Sequence, residues 1–102
     1  MSSSRDFLDF VLEHLSSLPD ITYRAMMGEF VIYYHGTVVG GVYDNRLLIK
    51  PTESVKKIIP NATMEVPYSG GKSMVMIDDI ENPELLERAF NAVYNDLSKS
   101  KK

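Results

Sequence analysis

No cysteine occurs among the 102 residues, which excludes a disulfide framework, a thiolate metal site and a cysteine nucleophile. Tryptophan is absent too. Histidine appears only as His14 and His35, neither with a second imidazole or carboxylate at a recognised ligand spacing, so neither a metal site nor a cofactor is expected. Apolar runs last only a few positions, against the roughly 18 to 20 needed to cross a bilayer, so no membrane span is expected. The opening Met1-Ser2-Ser3-Ser4-Arg5-Asp6 meets an acid at once and lacks the pattern of a signal peptide. With the missing cysteines, it points to the cytoplasm. An excess of positive charge is lacking as well. With 11 basic and 14 acidic side chains the net charge is -3, whereas duplex binding relies on neutralising phosphates, so direct DNA binding is not expected of the domain as a whole. The terminal cluster Lys99, Lys101 and Lys102 reads as part of a flexible, solvated tail over 98–102.

A composition of 44% hydrophobic and 25% charged residues is that of an ordinary globular chain, and the length suits one domain over 1–102 with its core in about 4–97. Ser3 followed by Asp6 resembles a capping box. Behind it Phe7, Leu8, Val11, Leu12, Leu15 and Leu18 recur at helical spacing, predicting a helix over about 4–18 that Pro19 ends. The period then shortens. β-formers occur at Ile21 to Tyr23, and strands are predicted at Phe30 to Tyr34, Val38 to Tyr43 and Arg46 to Lys50, with His35-Gly36 and Asp44-Asn45 as turns, which describes an antiparallel meander. Gly40 and Gly41 suggest a bulge or a close approach of another segment. Thr52 is placed to cap a short helix from Glu53 to about Ile59. Met64 to Tyr68 and Ser73 to Ile77 read as another strand pair. Asn82 and Pro83 then open a helix with an apolar stripe at Leu86, Ala89, Phe90, Val93, Tyr94 and Leu97. The expected architecture is α+β and two-layered: a five-stranded antiparallel sheet with helices on one face.

Catalytic motifs are scarce. Ser69-Gly70-Gly71-Lys72-Ser73 has lysine after glycine, but a P-loop needs a glycine at position 66, occupied by Val66, and a helix where a strand is predicted. A β-turn is the better reading. Asp78, Asp79 and Glu81 precede a helix N-terminus, where negative charge is favourable without any metal. No nucleophile elbow is present. The methionines, including Met26, Met27, Met74 and Met76, read mainly as core filling. One cationic constellation remains: Arg24, Lys50 and Lys72 lie in or beside strands near turns, a candidate contact for an anion or a partner.

The sheet face away from the helices carries more apolar character than a two-layer fold requires. Phe30-Val31-Ile32-Tyr33-Tyr34 is apolar or aromatic throughout, so some of these side chains need a covering segment or a partner. Val31, Tyr33, Tyr34, Val39, Tyr43 and Leu48 are the candidate interface, with a protein partner or a second copy of the chain as its occupant.

Tyr23-Arg24-Ala25-Met26-Met27-Gly28, then Asp44-Asn45-Arg46-Leu47-Leu48-Ile49-Lys50, then Pro67-Tyr68-Ser69-Gly70-Gly71-Lys72 before Asn82-Pro83-Glu84-Leu85-Leu86 resemble, in order and spacing, the N-terminal domain of the TfoX (Sxy) competence regulators. The family pattern, roughly YRxMFGGxGxY, is departed from at Met27, Glu29 and Val31. The resemblance implies a secretion-chaperone-like order of helix, three strands, helix, two strands and helix. It also implies a role in switching on genes for DNA uptake. In the family's regulators that role accompanies a second, helical C-terminal domain, which this chain is expected to lack. The leading expectation is therefore a non-enzymatic regulatory or protein-interaction domain. The alternatives are a nucleic-acid-associated regulator using a local basic patch, and a small-ligand or anion-binding domain using the Gly70-Gly71-Lys72 loop.

Overall fold

In the computed structural model, which describes residues 3–100, the first helix α1 spans Arg5–His14. Its cap is Ser4 and not Ser3: the Ser4 backbone is extended and its Oγ accepts from the Phe7 N–H at 3.1 Å. Ser3 Oγ is engaged elsewhere, donating to Glu29 Oε1 at 2.6 Å. The helix also ends earlier than its apolar spacing suggests. Beyond it Leu18 N–H bonds Leu15 C=O at 3.0 Å in a turn that still buries both leucines, so burial outlasts the helix.

Four strands follow as an antiparallel meander: β1 (Ile21–Met26), β2 (Glu29–Tyr34), β3 (Thr37–Val42) and β4 (Leu47–Ile49). Each link is a two-residue turn with both residues at positive φ: Met27-Gly28, His35-Gly36 and Asp44-Asn45. That left-handed pair matches the twist of the flanking strands. The first turn completes a strand not counted from the sequence, and the sheet has six strands instead of five. β1 escaped because it lacks apolar alternation, being exposed from Thr22 to Met26, and because methionine is an uncommon residue for the first position of such a turn. Next come α2 (Glu53–Ile58), β5 (Met64–Glu65), β6 (Met74–Met76) and α3 (Pro83–Ser100). The sheet order is β1-β2-β3-β4-β6-β5, antiparallel throughout.

The bulge suggested by the glycines is present. Ile32 pairs with Gly40 and Tyr33 with Val38, leaving Val39 as the extra residue. Val39 C=O accepts from the Lys50 N–H at 2.9 Å, and a Cβ on Gly40 would lie 2.7 Å from Ile49 Cα, so β4 packs where only glycine fits.

Capping of α2 differs from expectation. The Thr52 hydroxyl makes no capping bond and is buried without a partner; the carboxylate of Asp96 on α3 accepts from Ser54 N–H at 2.9 Å and Ser54 Oγ at 2.8 Å. On α3, Asn82 Oδ1 accepts from Leu85 N–H at 3.2 Å with Pro83 at the first helical position, as predicted. The helix runs through Ser98 to Ser100, into the segment expected to be a tail, while Lys101 and Lys102 lie outside the described residues.

Leu8, Val11 and Leu15 from the α1 region, Val55 of α2, and Leu86, Phe90 and Val93 of α3 form one cluster with Ile32, Val42, Leu47, Ile49 and Val75 of the sheet. All three helices therefore cover one face, the two-layer α+β arrangement expected. None of the described methionines belongs to this core, contrary to the core-filling expectation. Among the described residues no helix is long and apolar enough to cross a membrane.

Candidate partner-binding face

In a strand, neighbouring side chains alternate between faces, and residues paired across an antiparallel ladder share one. Since Ile32, Val42, Leu47 and Val75 point into the helix-side core, the opposite face carries Arg24 of β1, Glu29, Val31 and Tyr33 of β2, Val38 and Gly41 of β3, Leu48 of β4, and Met74 and Met76 of β6. Val31, Tyr33, Tyr43 and Leu48 of the proposed interface lie on this side. Tyr34 and Val39 do not: both are buried in the helix-side core, where the Tyr34 hydroxyl donates to Asn91 Oδ1 at 2.8 Å and its ring meets Tyr94 edge-on at 5.6 Å. The bulge at Val39 breaks the simple alternation, which is why sequence phase misplaced that residue.

This open face is not bare. Leu48 is fully buried and Val31 nearly so, although neither belongs to the helix-side core. Two segments lie over the sheet. The Tyr43 ring sits on Gly41, where a Cβ would come 2.8 Å from the ring, and the segment 65–69 brings buried Pro67 and exposed Tyr68 across the same side. Tyr43 and Tyr68 meet edge to face with centroids 6.3 Å apart. Burial pushes the Tyr43 phenol above its ordinary value, and nearby Tyr68, Glu29 and Tyr33 add to the rise, so the group is a neutral hydroxyl at physiological pH.

Arg46 fastens the two segments together. Its Nε donates to Tyr43 C=O at 3.1 Å, Nη1 to Glu65 Oε1 at 2.6 Å and Nη2 to Val66 C=O at 3.4 Å. Neither Arg46 nor Tyr68 carries a local pattern that marks its role. Their roles depend on a contact between residues 46 and 65–66 that no local pattern encodes. The only hint was a charged residue in outward phase ahead of Leu47.

Two grooves flank Pro67-Tyr68. One, of about 460 Å³, runs past Glu29, Asp44 and Arg46. The other, of about 610 Å³, is lined by Lys50, Pro51, Gly70, Gly71, Lys72 and Met74 and has no carboxylate in its wall. Lys50 and Lys72 are thus brought together, and neither ammonium has an ion-pair partner among the described residues. Arg24 is not part of that groove. It stands exposed on β1, three strand spacings or about 14 Å across the sheet from Leu48.

Both histidines have local partners. His14 Nδ1 lies 2.9 Å from Phe10 C=O, and His35 lies against Asp20 at 3.3 Å with its ring beside Tyr34 and Tyr94. Among the described residues no cluster of three or more His, Asp and Glu side chains is arranged to hold a metal ion. Gly71 N–H bonds Tyr68 C=O at 2.9 Å with Gly70 at φ +84°, the β-turn that the glycine-lysine segment suggested, and a strand follows it.

The model of the TfoX N-terminal domain family matches residues 13–95, bearing out the resemblance over most of the stretch it was expected to cover. The chain is also 30% identical over 80 residues to an uncharacterized 12.7 kDa protein in the trpE 5′ region of Spirochaeta aurantia, covering 78% of this chain and 70% of that protein.

Proposed function

As the chain belongs to the TfoX N-terminal domain family, we propose that it is a cytoplasmic regulatory domain that acts by holding a protein partner, without catalysis of its own, in the transcriptional control of genes for DNA uptake. The observation that supports this reading is the open sheet face. Its strands are already roofed by Tyr43 and Pro67, yet the Tyr68 ring stands 64% exposed between two grooves. An aromatic ring on a fixed turn, polar at its tip, suits the centre of an interface.

The two grooves differ in charge. A partner segment lying over Tyr68 would meet Glu29 and Asp44 at one end and Lys50 and Lys72 at the other. Such polarity favours an extended, oppositely dipolar segment with its acidic end toward the lysines. The test compares the wild-type protein with Tyr68→Ala and a Lys50→Glu, Lys72→Glu double variant in the native cell. Partner co-purification and the transcripts of DNA-uptake genes are measured together. Both variants are expected to keep the fold and to lose most of the co-purified partner and the transcript response. Unchanged partner recovery and transcripts in both variants would remove this face from the function.

A further inference from the structure

We infer that the free edge of β1 pairs with β1 of a second copy of this chain, antiparallel and centred on Tyr23, joining the two sheets into one. This rests on a different surface from the open face and stands or falls independently of the function proposed for it.

The two edges of the sheet are unlike. The β5 edge is two residues long and is followed closely by Pro67, so it offers almost no ladder to an incoming strand. The β1 edge is six residues of regular strand, Ile21–Met26, without proline, lysine or bulge, and with no residue after Ile21 better than exposed. Exposed apolar surface gathers there as well. Of the six large hydrophobic residues that are exposed among the described residues, Tyr23, Met26 and Met27 lie on β1 or its turn, with Met27 97% exposed. That methionine also holds φ +51°, a conformation that side chains with Cβ adopt reluctantly.

The hydrogen-bond phase of β1 admits a self-complementary register centred on Tyr23. Asp20 C=O accepts from His35 N–H at 3.1 Å, and bonded pairs alternate along an antiparallel ladder. Thr22, Arg24 and Met26 therefore spend their main-chain groups on Tyr33, Val31 and Glu29, leaving Ile21, Tyr23 and Ala25 with N–H and C=O turned to the free edge. Tyr23 is the middle of these three. A two-fold axis through it sets Tyr23 against Tyr23 and Ile21 against Ala25, so each of the three residues donates once and accepts once.

The same register keeps both helix layers on one side and opposes Arg24 to Thr22 of the second copy. A register centred on Arg24 would instead place two guanidinium groups face to face, which is unfavourable. Centring on Tyr23 also lays Met26 and Met27 beside Asp20 and Pro19 of the second copy, covering the apolar tip that the single chain leaves in water.

The cysteine-free sequence allows a direct test with single cysteines. Sedimentation of the wild-type chain from micromolar to millimolar concentration is expected to show the mass doubling. Ala25→Pro removes an N–H that the monomer does not use, and is expected to keep the far-ultraviolet circular dichroism while abolishing the doubling. Under mild oxidation Tyr23→Cys is expected to form a covalent dimer, because bonded pairs lie about 5.5 Å apart between Cα atoms. Arg24→Cys is not, since its two copies would be separated by about 8 Å. A wild-type chain that remains monomeric at millimolar concentration, as when the edge serves another protein's strand, overturns the proposal. So does a dimer that survives in Ala25→Pro, or cross-linking that favours Arg24→Cys over Tyr23→Cys.

Discussion

Tyrosines placed in alternate phase on the same sheet meet different surroundings. Tyr34 is buried against α3, and desolvation raises its phenol, with Glu87 and Tyr94 contributing; Tyr43 lies on the other face and is raised first by burial and then by Tyr68, Glu29 and Tyr33. A raised phenol pKa means that the folded state keeps its proton when the unfolded chain loses it. The stabilising contribution is therefore complete below about pH 10, the unfolded value, and declines as pH rises through the higher folded value. Urea unfolding followed from pH 7 to above 11 is expected to show the midpoint falling only on the alkaline side, with a shallower fall in Tyr43→Phe. An identical alkaline slope in the variant would show that Tyr43 titrates as it does in the unfolded chain. Glu29 illustrates a different dependence. It stands where the family pattern has glycine, and its carboxylate accepts from Ser3 Oγ at 2.6 Å and from Asp44 N–H at 3.2 Å, tying the start of the chain to two turns.

Among the elements, the helices differ in where their caps come from. Ser4 on α1 and Asn82 on α3 are local caps, three residues from the N–H groups they receive. α2 is only six residues long and takes its capping carboxylate from Asp96 on α3. Ser4→Ala and Asn82→Ala are each expected to cost about 1 kcal/mol, the usual worth of an N-cap. Asp96→Ala should cost as much or more and should speed amide exchange in α2 selectively, because a helix of six residues has little stability of its own. Hydrogen exchange measured residue by residue checks this, and uniform acceleration across all three helices would contradict it. The cap at Asn82 was legible in the sequence because it acts over three positions, whereas on α1 the cap falls at Ser4, one residue beyond the Ser3 that the sequence suggested. The Asp96 cap was hidden because Ser54 and Asp96 meet only after the helices pack, and Thr52, the expected cap, makes no such bond.

At the scale of the whole molecule, one apolar cluster includes residues from every helix and from the inner strands of the sheet. With one such cluster among the described residues, helices and sheet are expected to melt in a single transition. Calorimetry on the monomeric Ala25→Pro variant should give one peak with an enthalpy near 70 kcal/mol, equal to its van't Hoff value. Two resolved peaks would mean that the α2–α3 layer unfolds apart from the meander. For the wild-type chain, pairing through β1 would make the melting temperature rise with concentration.

Much of this architecture follows from local chemistry in the sequence. The apolar stripe at Leu86, Ala89, Phe90 and Val93, the cap at Asn82, the turns at His35-Gly36 and Asp44-Asn45, and the bulge glycines act over a few residues, so they define elements before any tertiary contact forms. The sequence also determined that one sheet face would be more apolar than water tolerates. Only the packed structure decided how that face is managed: Val39 goes inward because a bulge shifts the phase, Arg46 binds segments far apart in sequence, and Pro67-Tyr68 forms the roof. It likewise decided that Lys50 and Lys72 share a groove while Arg24 stands on a distant strand. Proximity between residues separated by many positions depends on sheet order, and sheet order is set by the burial of the entire core and not by any segment within it.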